Sequence, residues 1–98
     1  MTAEELYQEG LERLRHFYET APYCGGIHSA DYMRMIVEEH FIPAAEMGCT
    51  QAMKECGDYY SNVDQNKAIR FYMQYIHNCP GDTLTKAVLI AKYGFKLL

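Results

Sequence analysis

The chain has no block of serine, glycine or like charge, and proline is held to three residues, so it does not read as disordered or low-complexity and should fold throughout. No apolar run approaches the roughly twenty residues that a bilayer span requires, so no membrane partner is expected. Met1-Thr2-Ala3-Glu4-Glu5 is acidic and amphipathic, not a basic flank leading into an apolar stretch. Neither a secretory signal nor a transit peptide is therefore expected, and the chain reads as soluble and cytoplasmic. Lysine and arginine nowhere cluster, which argues against binding a phosphate backbone, and no nucleic acid partner is expected. There is no C-x-x-C and no H-x-x-x-H, so the four cysteines and four histidines lack metal-ligand spacing, and no metal or cofactor is expected. No segment alternates polar and apolar residues between hairpin turns, so no sheet is expected.

What is present fits a single domain of 98 residues, about half of them apolar. The net charge of -4 is unevenly laid down. Residues 1–48 hold nine acidic groups against Arg13, Arg15 and Arg34, whereas residues 79–98 hold Asp82 against Lys86, Lys92 and Lys96. An acidic face of this kind is ordinarily a solvated one, and it also permits contact with a basic protein surface. In a reducing compartment Cys24, Cys49, Cys56 and Cys79 stay as thiols. On one helix Cys49 and Cys56 would stand about 10 Å apart along the axis, too far to be bridged.

Leu6, Tyr7, Leu11, Leu14, Phe17 and Tyr18 follow the three-and-four spacing of an amphipathic helix over Ala3 to Ala21, with Thr2 and Glu5 forming a capping box. Pro22 and Gly25-Gly26 break it. A second helix runs from Asp31 to Met47, where Pro43 must kink or restart it and Gly48 stops it. A third spans Thr50 to about Ser61 and a fourth about Asp64 to Asn78. Pro80-Gly81 ends the fourth, and Asp82 caps a fifth running to the C-terminus. The expected fold is all-α: five antiparallel helices joined mostly by short loops.

The helices are self-similar. Val37, Phe41, Ala44, Ala45 and Gly48 line up without a gap on Ala68, Tyr72, Tyr75, Ile76 and Cys79, thirty-one residues on. Ala52 and Tyr60 match Ala87 and Phe95, thirty-five on. A stacked hairpin needs small residues where helices cross, here Ala52, Gly57 and Ala68, and aromatics such as Tyr60 in the wedges between hairpins. Glycine costs about 1 kcal/mol relative to alanine inside a helix, so Gly57 should be there for close packing.

"AAEMGCTQAMKECGDYY" followed by "NKAIRFYMQYIHNC" resembles the Sel-one-like repeat: small-small, Gly, Ala, a Gly and a Tyr in the first helix, then Ala and an aromatic pair in the second. Pro80, twelve residues after Ala68, also makes the chain similar to the tetratricopeptide repeat. The resemblance covers residues 31–80 well, residues 83–98 loosely and the first helix poorly. It departs at Cys56, which replaces a leucine, at Tyr75-Ile76, which replaces an alanine pair, and in a shorter turn between helices three and four. It implies antiparallel hairpins stacked as a short right-handed superhelix of about two and a half repeats, serving as a protein or peptide scaffold rather than a catalyst. By the tetratricopeptide analogy the groove-facing residues of the third helix are Gln51, Lys54, Asp58, Ser61 and Asn62, set to hold an extended or helical peptide; ordinary solvated side chains are the plainer reading.

The fifth helix, "LTKAVLIAKYGFKLL", is apolar nearly all round. It either packs deeply against the third and fourth or offers an apolar surface to a partner, with Tyr93, Phe95, Leu97 and Leu98 as the expected dimer or partner face. A two-fold homodimer is the favoured arrangement, since closed dimers are the commonest homo-oligomers. Nine tyrosines and six methionines suit a recognition surface, although filling the core is the plainer role for any one tyrosine. Glu38-Glu39-His40 is no catalytic constellation, because neighbours in a helix face different ways, and Gly25-Gly26 lacks the pattern of a phosphate loop. Cys49, beside Gly48, could start a helix whose dipole would lower its pKa, but a cysteine at a helix N-terminus without a basic partner is ordinarily unremarkable. The leading expectation is a non-enzymatic protein-interaction module, an adaptor or an inhibitor that occupies a basic site. The alternative is a metal- or redox-responsive protein using Cys24, His28 and neighbouring thiols.

Overall fold

The computed structural model describes residues 1–24 and 29–94, with side chains over 1–19 and 31–94. Among these residues there is no strand, and the elements are α1 (Ala3–Cys24), α2 (Ser29–Ile36), a π-helical turn (Val37–Phe41), α3 (Ile42–Glu46), α4 (Thr50–Tyr60), α5 (Gln65–Asn78) and α6 (Thr83–Tyr93). The backbone stays right-handed helical through Ile36, Phe41 and Ile42, so α2, the π turn and α3 form one continuous rod. Among the described residues the protein is all-α, with five helices.

Local chemistry sets the boundaries. The Thr2 amide donates to Glu5 Oε1 and the Glu5 amide to Thr2 Oγ1, both at 3.1 Å, which completes the expected capping box of α1. Asp64 accepts from the amides of Asn66 and Lys67, and Asp82 from that of Thr85, so each carboxylate satisfies otherwise orphaned N–H groups. Gly48 sits at φ 103°, a left-handed conformation that lets Cys49 and Gly48 donate back to Ala44 and Ala45 at 2.9 and 3.0 Å. Gly94 ends α6 at φ 62°, so the last helix stops at Tyr93 instead of continuing to the C-terminus.

Pro22 falls differently from expectation, whereas Pro43 sits at the restart expected for it. Pro22 does not terminate α1, which continues to Cys24; a proline this close to a helix end removes few intrahelical bonds. Pro43 neither breaks nor stops the second rod. Before it the helix widens, the Ile42 amide donating five residues back to the Val37 carbonyl, and Pro43 takes a place in the first turn of α3, where its missing N–H is least missed.

Adjacent rods run antiparallel. From one end of α1 to the other, Phe17 stacks on Tyr32, Gly10 meets His40 and Phe41, and Glu4 reaches Cys49. In the same way Tyr60 stacks on Phe71, Gly57 meets Tyr72 and Met53 reaches Asn78. The α4–α5 pair is the most extensive, whereas α6 is joined to the rest through a narrow contact with α5. Phe41, Ile36, Val37 and Cys56 are the largest fully buried side chains, so the π turn and α4 hold the centre of the core. Burying a side chain of this size stabilises the fold by about 1.5–3 kcal/mol.

Two crossings are set by the lack of a side chain. A Cβ on Gly57 would lie 2.6 Å from Tyr72 Cε1, and one on Gly10 would lie 2.7 Å from Phe41 Cε1 and 2.8 Å from His40 Cβ. Alanine is intrinsically better than glycine in a helix by about 1 kcal/mol, yet here it overpacks the interface. Gly57→Ala and Gly10→Ala are each expected to lower unfolding free energy by about 1–3 kcal/mol, read from urea melts with unchanged slope. A variant as stable as the parent would show that the rings can move aside.

Candidate functional site

Of the residues assigned to a groove on α4, Gln51, Lys54, Asp58 and Asn62 are exposed and Ser61 is half-buried. Ser61 donates its hydroxyl to the Asp58 carbonyl at 2.7 Å, and Gln51 Oε1 accepts from the Cys49 thiol at 3.6 Å, so these two side chains serve the ends of α4. The structure brings Lys54 and Asp58 together on the wall of a cleft of about 380 Å³ between α4, α5 and α6; Gln51, Ser61 and Asn62 are not among its lining. Buried Tyr72 and Leu89 form its floor, exposed Leu84 and Val88 one edge, and Lys92 also lines it.

The cleft follows directly from the α4–α5 crossing. With the Tyr72 ring under Gly57, its hydroxyl emerges beside Asp58 and donates to the carboxylate. Burial, reinforced by that bond, pushes the Tyr72 pKa well above the usual phenol value of 10.0. One turn further on, Tyr75 donates to the Asp82 carboxylate that caps α6. Tyr75 is pushed up to about 12, chiefly by this bond, while the bond and the Thr85 amide hold the Asp82 carboxyl below its ordinary range. Lys54 adds its attraction to Asp82. The cleft thus has a fixed floor of apolar atoms and a rim that carries both signs of charge. That make-up suits an apolar side chain of a protein segment whose neighbours are polar.

Among the residues assigned to a dimer or partner face, Tyr93 turns inward. It is half-buried, with its ring 5.6 Å from that of Tyr72, and its hydroxyl is buried without a partner among the described residues. Phe95, Leu97 and Leu98 lie outside the described residues. The apolar surface of α6 falls elsewhere: Leu84 is 78% exposed and Val88 59%, with Ala87 and Ala91 exposed beside them, and only Leu89 is buried. Of the two arrangements open to this helix, the structure takes the one with apolar groups in solvent. Ala87, matched in sequence to the fully buried Ala52, is exposed because no described helix crosses it.

Most tyrosines belong to the interior. Tyr7, Tyr60, Tyr72 and Tyr75 are buried, Tyr32, Tyr59 and Tyr93 half-buried, and Tyr18 exposed. A second depression, of about 270 Å³, is edged by the parallel Tyr60–Phe71 stack, with the Lys67 ammonium 5.2 Å from the centre of the Tyr60 ring.

Cys49 and Cys56 are buried free thiols, and Cys79 is half-buried. Burial pushes Cys56 up to about 12. It also raises Cys49, whose thiol donates to Glu4 at 3.3 Å; the amides of Gln51 and Ala52 at the helix start lower it and are outweighed. The His28 partner proposed for Cys24 lies outside the described residues, as does the Cys24 side chain. Among the described residues no group of three or more His, Cys, Asp or Glu is placed to hold a metal. Glu38 and Glu39 face solvent while His40 is buried in the π turn, its Nε2 3.8 Å from Glu9 and its Nδ1 without a hydrogen-bond partner among the described residues. No described helix is long and apolar enough to cross a membrane.

Against protein-family models, curated proteins and solved structures, the chain shows no match.

The buried phenols make a sharp alkaline limit. Tyr7, pushed up to about 12 by burial, and Tyr75, also to about 12, are held neutral in the fold, while their unfolded values are near 10.0. Their contribution is complete below pH 10 and is lost as pH rises towards 12. Unfolding free energy should fall steeply across that window, and Tyr75→Phe should make the fall shallower. An equal slope in both proteins would remove Tyr75 from the account. In the same native protein Cys49 and Cys56 should resist a disulfide-exchange thiol reagent at pH 8 and react on denaturation.

Proposed function

We propose that the protein is a non-enzymatic protein-interaction module, an adaptor or inhibitor of Sel-one-like or tetratricopeptide-like build, in which hairpins stack as a short right-handed superhelix. It binds a segment of another protein in the cleft between α4 and α6. The observation that carries this reading is the cleft itself, with Tyr72 and Leu89 as its floor, Leu84 and Val88 along one edge, and Lys54, Asp58 and Lys92 on its rim. An apolar anchor from the bound segment fills the floor, and flanking polar groups pair with the two lysines. Lys54 and Asp58 are also the positions that the tetratricopeptide analogy assigns to the groove. The acidic outer face of α1, where Glu4, Glu5, Glu9 and Glu12 border a shallow depression, supplies a second charged surface for a basic partner region.

A photoactivatable residue in place of Thr85, which also lines the cleft, tests this directly in the cell of origin. A discrete protein adduct is expected, and Lys54→Glu combined with Lys92→Glu should cut its yield by about tenfold or more while leaving the thermal melt unchanged. An adduct yield that ignores both charge reversals, or no adduct at all, would remove the cleft as the binding site.

A further inference from the structure

The outer face of α6 carries a pattern that matches itself. Leu84, Ala87, Val88 and Ala91 are exposed and spaced i, i+3, i+4 and i+7, which puts them in one stripe on the side of the helix opposite buried Leu89. Two are large and two are small, and the order along the helix is large, small, large, small.

We propose that a second copy of this chain covers the stripe, with the two α6 helices antiparallel about a two-fold axis that passes between Ala87 and Val88. Such an axis sets Leu84 against Ala91 of the second copy and Val88 against its Ala87, and by symmetry each contact occurs twice. Every large residue then meets a small one, and the two helix axes approach closely without a void. The charges agree with this register. Lys86 falls level with Leu89 of the second copy and Lys92 level with Thr83, so no lysine stands level with another lysine. Lys92 of each copy lies one residue from the level of Asp82, the acidic residue of the segment 79–98. A parallel pairing sets Leu84 against Leu84 and Lys92 against Lys92, losing both the size match and the charge match. Because Leu84 and Val88 also edge the cleft, the second copy's helix walls one side of it, and the dimer presents two clefts related by the two-fold.

Sedimentation equilibrium on the full chain at micromolar concentration tests the arrangement. The parent protein should sediment as a dimer. Leu84→Ala leaves a gap on each side of the axis, and Ala91→Leu crowds two large residues together. Each single change should weaken the dimer by about a hundredfold, with unchanged helix content by circular dichroism. The double variant Leu84→Ala, Ala91→Leu keeps a large residue opposite a small one, now reversed, and should recover most of the lost affinity. A monomeric parent overturns the proposal, and so does a double variant no tighter than the singles or a dimer indifferent to all of these changes. Leu84 and Lys92 enter both readings, so the two are separated at Ala91, which does not line the cleft: Ala91→Leu should weaken the dimer while capture at Thr85 stays sensitive to Lys54→Glu.

Discussion

Where α4 crosses α5, the ring of Tyr72 occupies the space in which residue 57 would otherwise carry a side chain. Ala52 and Ala68, both fully buried, keep the rest of this crossing shallow, so the two backbones lie as near as helices can. Everything on the α6 side of the molecule is placed by this contact. It points the Tyr72 hydroxyl at Asp58, fixes the floor of the cleft and determines how far Tyr75 stands from the cap of α6. A larger residue at 57 would move a ring, and with it two hydrogen bonds and one helix N-terminus.

The opposite half depends on a comparable economy of space around the π turn. Gly10 lets α1 settle on His40 and Phe41, and the widened turn carries Val37, His40 and Phe41 into the interior together. A regular α-helix through the same residues would set Pro43 against the carbonyl four positions back. Widening by one residue relieves that conflict and keeps the rod continuous, so α3 can deliver Ala44 and Ala45 to the contact with α4. His40 is the cost of this arrangement, since its Nδ1 is buried without a hydrogen-bond partner among the described residues.

Features governed by local chemistry could be read from the residues alone. The Thr2–Glu5 box, the stop at Gly48 and the caps at Asp64 and Asp82 each need only a few adjacent side chains, and each is found in the structure. The burial of Ala52, Gly57 and Ala68 was also legible, because small residues within amphipathic helices have few other uses. Gly10 is the same kind of signal, a glycine inside a helical pattern, and could have been read in the same way. Lys54 and Asp58 were placed on the groove by analogy, and they do line a cleft. What could not be read was which side of α6 faces solvent. Its sequence is apolar nearly all round, so periodicity gives no direction, and only the position of α5 decides that Leu89 goes in and Leu84 and Val88 stay out. The π turn was hidden for a related reason: Pro43 announces a local conflict but not which of several backbone adjustments resolves it. At Cys49 the pull of the helix start is outweighed because the thiol is buried next to the Glu4 carboxylate, a contact across forty-five residues that no local pattern announces.

The cleft and the α6 stripe draw on the same imbalance. This helix contributes one fully buried residue to the fold and shows little apolar contact beyond α5, so its place in the monomer rests mainly on the Asp82 cap, the Tyr75–Asp82 bond and the Tyr93–Tyr72 ring contact. Exposed Leu84 and Val88 stabilise nothing within the monomer; at about 25 cal/mol per Å² of apolar surface removed from water, their burial favours association instead. A helix held by its ends and by one face is well suited to that task. The polar anchors fix its orientation before any partner arrives, so association loses little further conformational freedom, and the apolar atoms left in solvent are the ones a partner can cover.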